Sequence, residues 1–206
     1  MKIAVVFSGI PRELARSSWY FKEWMFSGHD VDIFSYVWKM EEYADLDNVY
    51  DHTVLQYNKP IDFFEVHPKI NINVYSHWYS LQNACRCFKN YTEVNKKSYD
   101  LVVRTRHDIA LYYKINFDNL DPNLLNVADC HWPGNVLFDD NLLITNQKNY
   151  FKVYSEIYDW YVARDEGREF NVIPEQELRN YIIDIGMIGL VKRNKELDFI
   201  LTRGLR

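Results

Sequence analysis

The first forty residues place the tightest limit on what this chain can fold into. Residues 2–7, KIAVVF, form a nearly unbroken apolar run, the pattern of a strand buried on both faces. Ser8-Gly9-Ile10-Pro11 follows as a turn. Leu14, Trp19, Phe21 and Trp24 then supply the apolar positions of a helix from about Arg12 to Phe26, with Gly28 as its C-terminal cap. Residues 31–37, VDIFSYV, read as a second strand. Strand, helix and strand in so short a span begin a parallel sheet.

The alternation continues along the 206 residues. Residues 38–60 are polar and irregular, and IDFFEV, 61–66, reads as a third strand. Ser76 suits the N-cap of a helix reaching about Lys96, with Trp78, Leu81, Cys85, Phe88 and Tyr91 as its core stripe. Tyr99-Asp100 leads into a fourth strand that starts LVV at 101–103. Turns dominate 118–134, where Asp121-Pro122 and Trp132-Pro133-Gly134 fall. NLLIT, 141–145, is a strand. A helix from about Gln147 to Ala163 follows, then one opened by Pro174 and ending near Gly186, then a last strand in IGLVKR. The expected fold is α/β, a single domain over 1–206 with a mixed, mostly parallel sheet flanked by helices. Residues 1–112 make one half and 113–206 the other.

Composition narrows the function. With 48% apolar residues the chain is globular. A formal net charge of −5 argues against a surface built to grip duplex nucleic acid, so any phosphate chemistry must be local. Three cysteines without paired spacing argue against a disulfide framework or a zinc site, and reduced thiols in a cytoplasmic protein are expected. The apolar start is too short for a signal peptide, and no window approaches a membrane span. The 16 tyrosines either line a sugar- or base-binding cleft or fill a Tyr-rich core.

Three places carry candidate chemistry. In FSGIPRE, 7–13, a buried strand gives way to a helix start, whose free N–H groups favour a phosphate; Gly9 permits close approach and Arg12 adds a charged fork. The alternative is an ordinary turn with Arg12 in solvent. In LVVRTRHDI, 101–109, an apolar strand runs into Arg104, Arg106 and Asp108, which share one face if the strand stays regular. Two guanidiniums there suit phosphate oxygens and the carboxylate suits a divalent metal, whereas an Arg–Asp ion pair closing the strand is the structural alternative. His107 either joins this site or packs on the opposite face. In VLFDDNLLI, 136–144, Asp139 and Asp140 offer a general base or form a turn. Glu175 and Glu177 read first as helix-start residues. His131, beside Trp132, is a minor candidate for a cleft wall.

The collinear order of VVFSGIPR, DVDIFSYVW, HWYSLQNACRCFKNY with YDLVVRTRHDI, FDDNLLITNQKNYFKVY and PEQELRNYI resembles small GT-A-type glycosyltransferases. These occur in large DNA viruses, phages and bacterial surface-polysaccharide clusters. The resemblance covers the chain to about residue 185. It implies a Rossmann-like domain that binds a nucleotide-diphosphate sugar, UDP-sugar favoured, and transfers the sugar to a glycan or other hydroxyl acceptor. A binding module of the same fold without transfer is the alternative it leaves. It implies a divalent cation, Mn²⁺ or Mg²⁺, at the last aspartate of a DxD motif, which maps onto Asp108; Arg106 stands where the motif has its first aspartate. It maps nucleotide contacts onto Ser8, Gly9 and Arg12, with Ser35, Tyr36 and Trp38 near the base. Arg104 and Arg106 then share in neutralising the diphosphate, and Asp139 and Asp140 face the acceptor.

Overall fold

The computed structural model describes residues 1–39, 46–59, 61, 63, 72–129, 138–164 and 173–202. They form an α/β structure around a seven-stranded mixed sheet. The strands are β1 (Lys2–Gly9), β2 (Asp30–Trp38), β3 (Val54–Asn58), β4 (Leu101–Thr105), β6 (Leu125–Ala128), β7 (Leu142–Thr145) and β8 (Val191–Asn194), in the order β3-β2-β1-β4-β7-β6-β8. Strands β3, β2, β1 and β4 run parallel, β7 is antiparallel to both β4 and β6, and β8 is parallel to β6. A small antiparallel pair joins β5 (Ile109–Leu111) to β9 (Phe199–Leu201). The helices are α1 (Leu14–Tyr20), continued by a π-type turn over Phe21–Phe26, then α2 (Ile72–Asn95), α3 (Gln147–Tyr154), α4 (Ile157–Ala163) and α5 (Pro174–Asp184).

Each strand feeds two cores, because alternate side chains face opposite ways. Ala4 and Val6 of β1, Val102 of β4 and Leu143 of β7 pack under α2 to α5. Ile3, Val5 and Phe7, with Leu101 and Val103, pack under α1 and the β5–β9 pair. The tyrosine excess belongs largely to the first core, where Tyr75, Tyr150, Tyr154 and Tyr161 are buried. Among the described residues, no helix is long and apolar enough to cross a membrane.

Several expected boundaries move. The third strand is VLQYN at 54–58, within the stretch read as irregular; of 61–66 only Ile61 and Phe63 are among the described residues, and neither is in a strand. Strand β6 lies in the region read as turns, where Asn126 Nδ2 donates to the carbonyl of Ile144 at 3.1 Å across to β7. Trp132, Pro133 and Gly134 fall outside the described residues, as do His131 and Cys130. Helix α2 starts at Ile72, so Ser76 lies inside it, its hydroxyl donating to the carbonyl of Asn73 at 3.1 Å. The helix expected over 147–163 is two helices. Buried Gln82 of α2 explains the break: its Oε1 accepts from the backbone N–H groups of Tyr158 and Asp159 at 2.8 and 3.2 Å, capping the start of α4. The strand expected in IGLVKR is shifted to Val191–Asn194, after a short 3-10 turn, and the last strand is instead β9. Helix α1 starts at Leu14 and not at Arg12.

Candidate functional site

Strand β1 lies between β2 and β4: the chain leaves it through α1 on one face to reach β2, then returns from β3 through α2 on the other face to reach β4. That reversal opens a crevice beyond the carboxyl ends of the parallel strands. A cleft of about 490 Å³ occupies this position. Three chain segments at the strand ends line it: Ser8 and Gly9 at the end of β1 with Arg12 after it, Trp38 at the end of β2, and Arg106 after β4. Gly9 adopts φ +94, a conformation that favours glycine, and so allows the turn that carries Arg12 to the rim. Across the cleft stand Asp140 and Asn141, and Pro174 with Glu175 at the start of α5.

The charged end of β4 does not form one row. The strand stops at Thr105, and only Arg104 remains within it. Arg106 turns back on Asp108: Nε and Nη2 donate to the two carboxylate oxygens, each at 2.8 Å, and Nη1 donates to Asn141 Oδ1 at 3.1 Å. Burial opposes the charge on Arg106, but Asp108, and then Asp140 and Asp139, outweigh it and raise its pKa. Asp108 is 1% exposed, and its backbone carbonyl also accepts from Thr202. This is the ion pair that closes the strand. Both carboxylate oxygens of Asp108 are turned to Arg106, and Asp108 is not among the residues lining the cleft. Among the described residues, no group of three His, Cys, Asp or Glu side chains stands ready to hold a metal ion. The donors as arranged therefore do not fit a divalent cation at Asp108.

Arg104 is fully buried on the α2–α3 side, and none of its three guanidinium nitrogens has a hydrogen-bond partner. It lies beneath the cleft wall rather than on it. Its charge acts on His77, Asp139, Asp140, Tyr150 and Tyr154. Ser35 and Tyr36 are buried on opposite faces of β2, so of the three positions expected near a base only Trp38 lines the cleft. His107 packs on the other face, stacked on Phe7 with ring centroids 4.3 Å apart; burial lowers its pKa to about 3.

The adjacent aspartates separate. Asp139 is buried off the cleft and accepts from Asn141 N and Nδ2 at 2.7 and 3.0 Å. Burial, then the charge of Asp140, raises its pKa to about 6. Asp140 lines the cleft, with Oδ2 2.9 Å from Nε2 of His77. Burial opposes its ionisation, but His77, Arg104 and Arg106 outweigh that and hold it at about 2. Burial raises Glu175 to about 7, helped by Asp140 and Asp139.

The sequence reading missed His77 and its neighbours. Asn73, Ser76, His77 and Ser80 all line the cleft from α2. Their spacing of three, four and seven places them on one helical face. That polar stripe, flanking the Trp78–Leu81–Cys85–Phe88 core stripe, was the signal available for finding them. The chain matches no family model and no curated protein.

Proposed function

We propose that the protein is a glycosyltransferase that uses a nucleotide-diphosphate sugar, UDP-sugar favoured, and a glycan or other hydroxyl acceptor. The observation that carries this reading is the placement of Arg12 and Arg106 in one cleft at the switch point of a parallel sheet. Nucleotides bind at this position in open α/β sheets because backbone N–H groups and strand-end side chains converge there. Guanidiniums at the rim suit diphosphate oxygens, and in a site screened from water they stabilise the charge of the departing group. Trp38, stacked on Tyr79, lines the cleft at the place where the base would lie. On the far wall, Asp140, His77 and Glu175 supply proton-handling groups for an acceptor hydroxyl.

The resemblance implies Mn²⁺ or Mg²⁺, which would supply Lewis-acid neutralisation of the diphosphate. With Asp108 engaged by Arg106, that neutralisation is assigned here to Arg12 and Arg106. The test is release of UDP from UDP-sugars by purified protein, with and without added Mn²⁺ and acceptor glycans. Turnover supports the reading, and absence of both nucleotide binding and turnover under every condition removes it. The closed Arg106–Asp108 pair favours a second reading, a binding module of the same fold. Saturable nucleotide binding with no release of UDP would select it.

A further inference from the structure

Helix α2 presents a single imidazole to the cleft, and that imidazole is paired. His77 Nε2 lies 2.9 Å from Asp140 Oδ2, a charge contact whose angle falls outside hydrogen-bond geometry, with the His77 side chain 19% exposed and that of Asp140 7%. Both residues line the cleft. A carboxylate beside one ring nitrogen holds the proton on that nitrogen and leaves the other as the acceptor. At 2.9 Å a nitrogen lone pair would face the carboxylate charge, so the contact places N–H on Nε2 and leaves the lone pair to Nδ1. The charges that face the pair come from three other directions. Arg104 lies behind it on β4, Arg106 beside it after β4, and Glu175 across the cleft on α5. Arg12 stands at the rim after β1.

We propose that His77 is the residue that accepts the proton of the acceptor hydroxyl, with Asp140 as its positioning partner. This rests on the glycosyltransferase reading. In the step, the acceptor oxygen forms a bond to the sugar's anomeric carbon. The bond from that carbon to the diphosphate oxygen breaks, and its electron pair leaves with the diphosphate. The hydroxyl proton passes to Nδ1 of His77. Asp140 remains ionised throughout and stabilises the imidazolium that forms. The electrostatics agree: burial lowers the His77 pKa, Asp140 opposes that, and Arg104 and Arg106 reinforce it, so the ring is neutral and able to accept a proton at pH 7. Asp139, by contrast, faces Asn141 and does not reach the cleft. The assignment therefore moves the proton acceptor from the Asp139–Asp140 pair to a residue on another element.

Three measurements test it. Long-range ¹⁵N–¹H NMR of the wild type at pH 7 reads the His77 tautomer directly and needs no turnover. The Nε2–H form is expected, and an Nδ1–H form overturns the proposal. His77→Gln and Asp140→Asn are then compared for UDP binding and for sugar transfer. Expected are UDP affinity within about threefold of wild type and transfer reduced about 100-fold or more in each variant. The double variant should lose little beyond either single one, because the two side chains act as a unit. A His77→Gln variant that binds UDP and transfers sugar at the wild-type rate overturns the proposal and leaves the glycosyltransferase reading standing. A wild type that neither binds UDP nor transfers sugar overturns both. The pH profile separates a catalytic His77 from a structural one. Wild-type transfer should fall as pH drops through the His77 pKa, and that limb should vanish in the residual activity of His77→Gln.

Discussion

Replacing Asp108 by alanine distinguishes a structural carboxylate from a metal ligand. In the structure Arg106 makes two parallel 2.8 Å bonds to Asp108, whose side chain is 2% exposed against 23% for Arg106. Removing one partner of a buried pair costs about 3–5 kcal/mol, because the other charge is left without compensation. Arg106 retains Asn141 and some access to water, which places the loss near the lower end, about 3 kcal/mol. For a chain of this size each kcal/mol lowers Tm by about 2–4 °C, so Asp108→Ala should melt roughly 6–12 °C below wild type. Calorimetry and urea unfolding measure both quantities. The double substitution Arg106→Met with Asp108→Leu should recover most of the loss, since apolar replacement of a whole buried pair is close to neutral. A Tm within about 3 °C of wild type for Asp108→Ala alone would show that the pair does not hold the fold. It would be the result expected of a carboxylate kept for metal binding rather than for the fold.

Other expectations follow from the same structure. His107→Phe replaces a buried imidazole whose two nitrogens lack hydrogen bonds, so stability at pH 7 should be unchanged or higher by urea unfolding. The wild-type imidazole is held neutral down to about pH 3, below its unfolded pKa of 6.5, so wild-type stability should decline as pH falls from 6.5 towards 3. The variant should lose that part of the decline, and a retained slope would contradict the assignment. Glu175 has the opposite sign: with its pKa raised from 4.5 to about 7, it costs stability as pH rises through that window. Glu175→Gln should therefore melt higher than wild type at pH 8 and alike at pH 4; equal shifts at both would show that its ionisation is not the cause. Arg12→Ala should weaken UDP binding about 10-fold while leaving Tm within about 2 °C, because its contribution is one charge-assisted contact at an open rim. Unchanged affinity by calorimetric titration would remove Arg12 from the site.

Where sequence and structure agree, the signal was long and periodic. KIAVVF and VDIFSYV read as strands because their apolar runs leave no other burial, and Gly28 ends the first helix at φ +86 as its cap position requires. That Ser8, Gly9, Arg12 and Arg106 meet was legible because strand ends of a parallel sheet share one crevice, whereas Trp38 and the facing Asp140 were placed there only by the resemblance. What was not legible depends on partners distant in sequence. VLQYN is a strand because it pairs with β2, and its own pattern is too short and polar to say so. The break between α3 and α4 falls where Gln82, more than seventy residues earlier, accepts from the N–H groups of Tyr158 and Asp159 at the start of α4. Arg104, Arg106 and Asp108 separate because the backbone turns after Thr105, a step that strand periodicity does not encode. His77 was passed over because a lone histidine on a helix carries no sequence mark of the aspartate 63 positions later that meets it.

The claim on which the rest depends is that the cleft between the ends of β1 and β4 takes a nucleoside diphosphate. Titration of the wild type and of Arg106→Ala with UDP, followed by backbone amide shifts, tests it most directly. The account predicts saturable one-to-one binding, shifts centred on Ser8, Gly9, Arg12 and Trp38, and binding at least tenfold weaker in the variant. Absence of saturable binding with or without Mn²⁺, or shifts that map away from these residues, would contradict it.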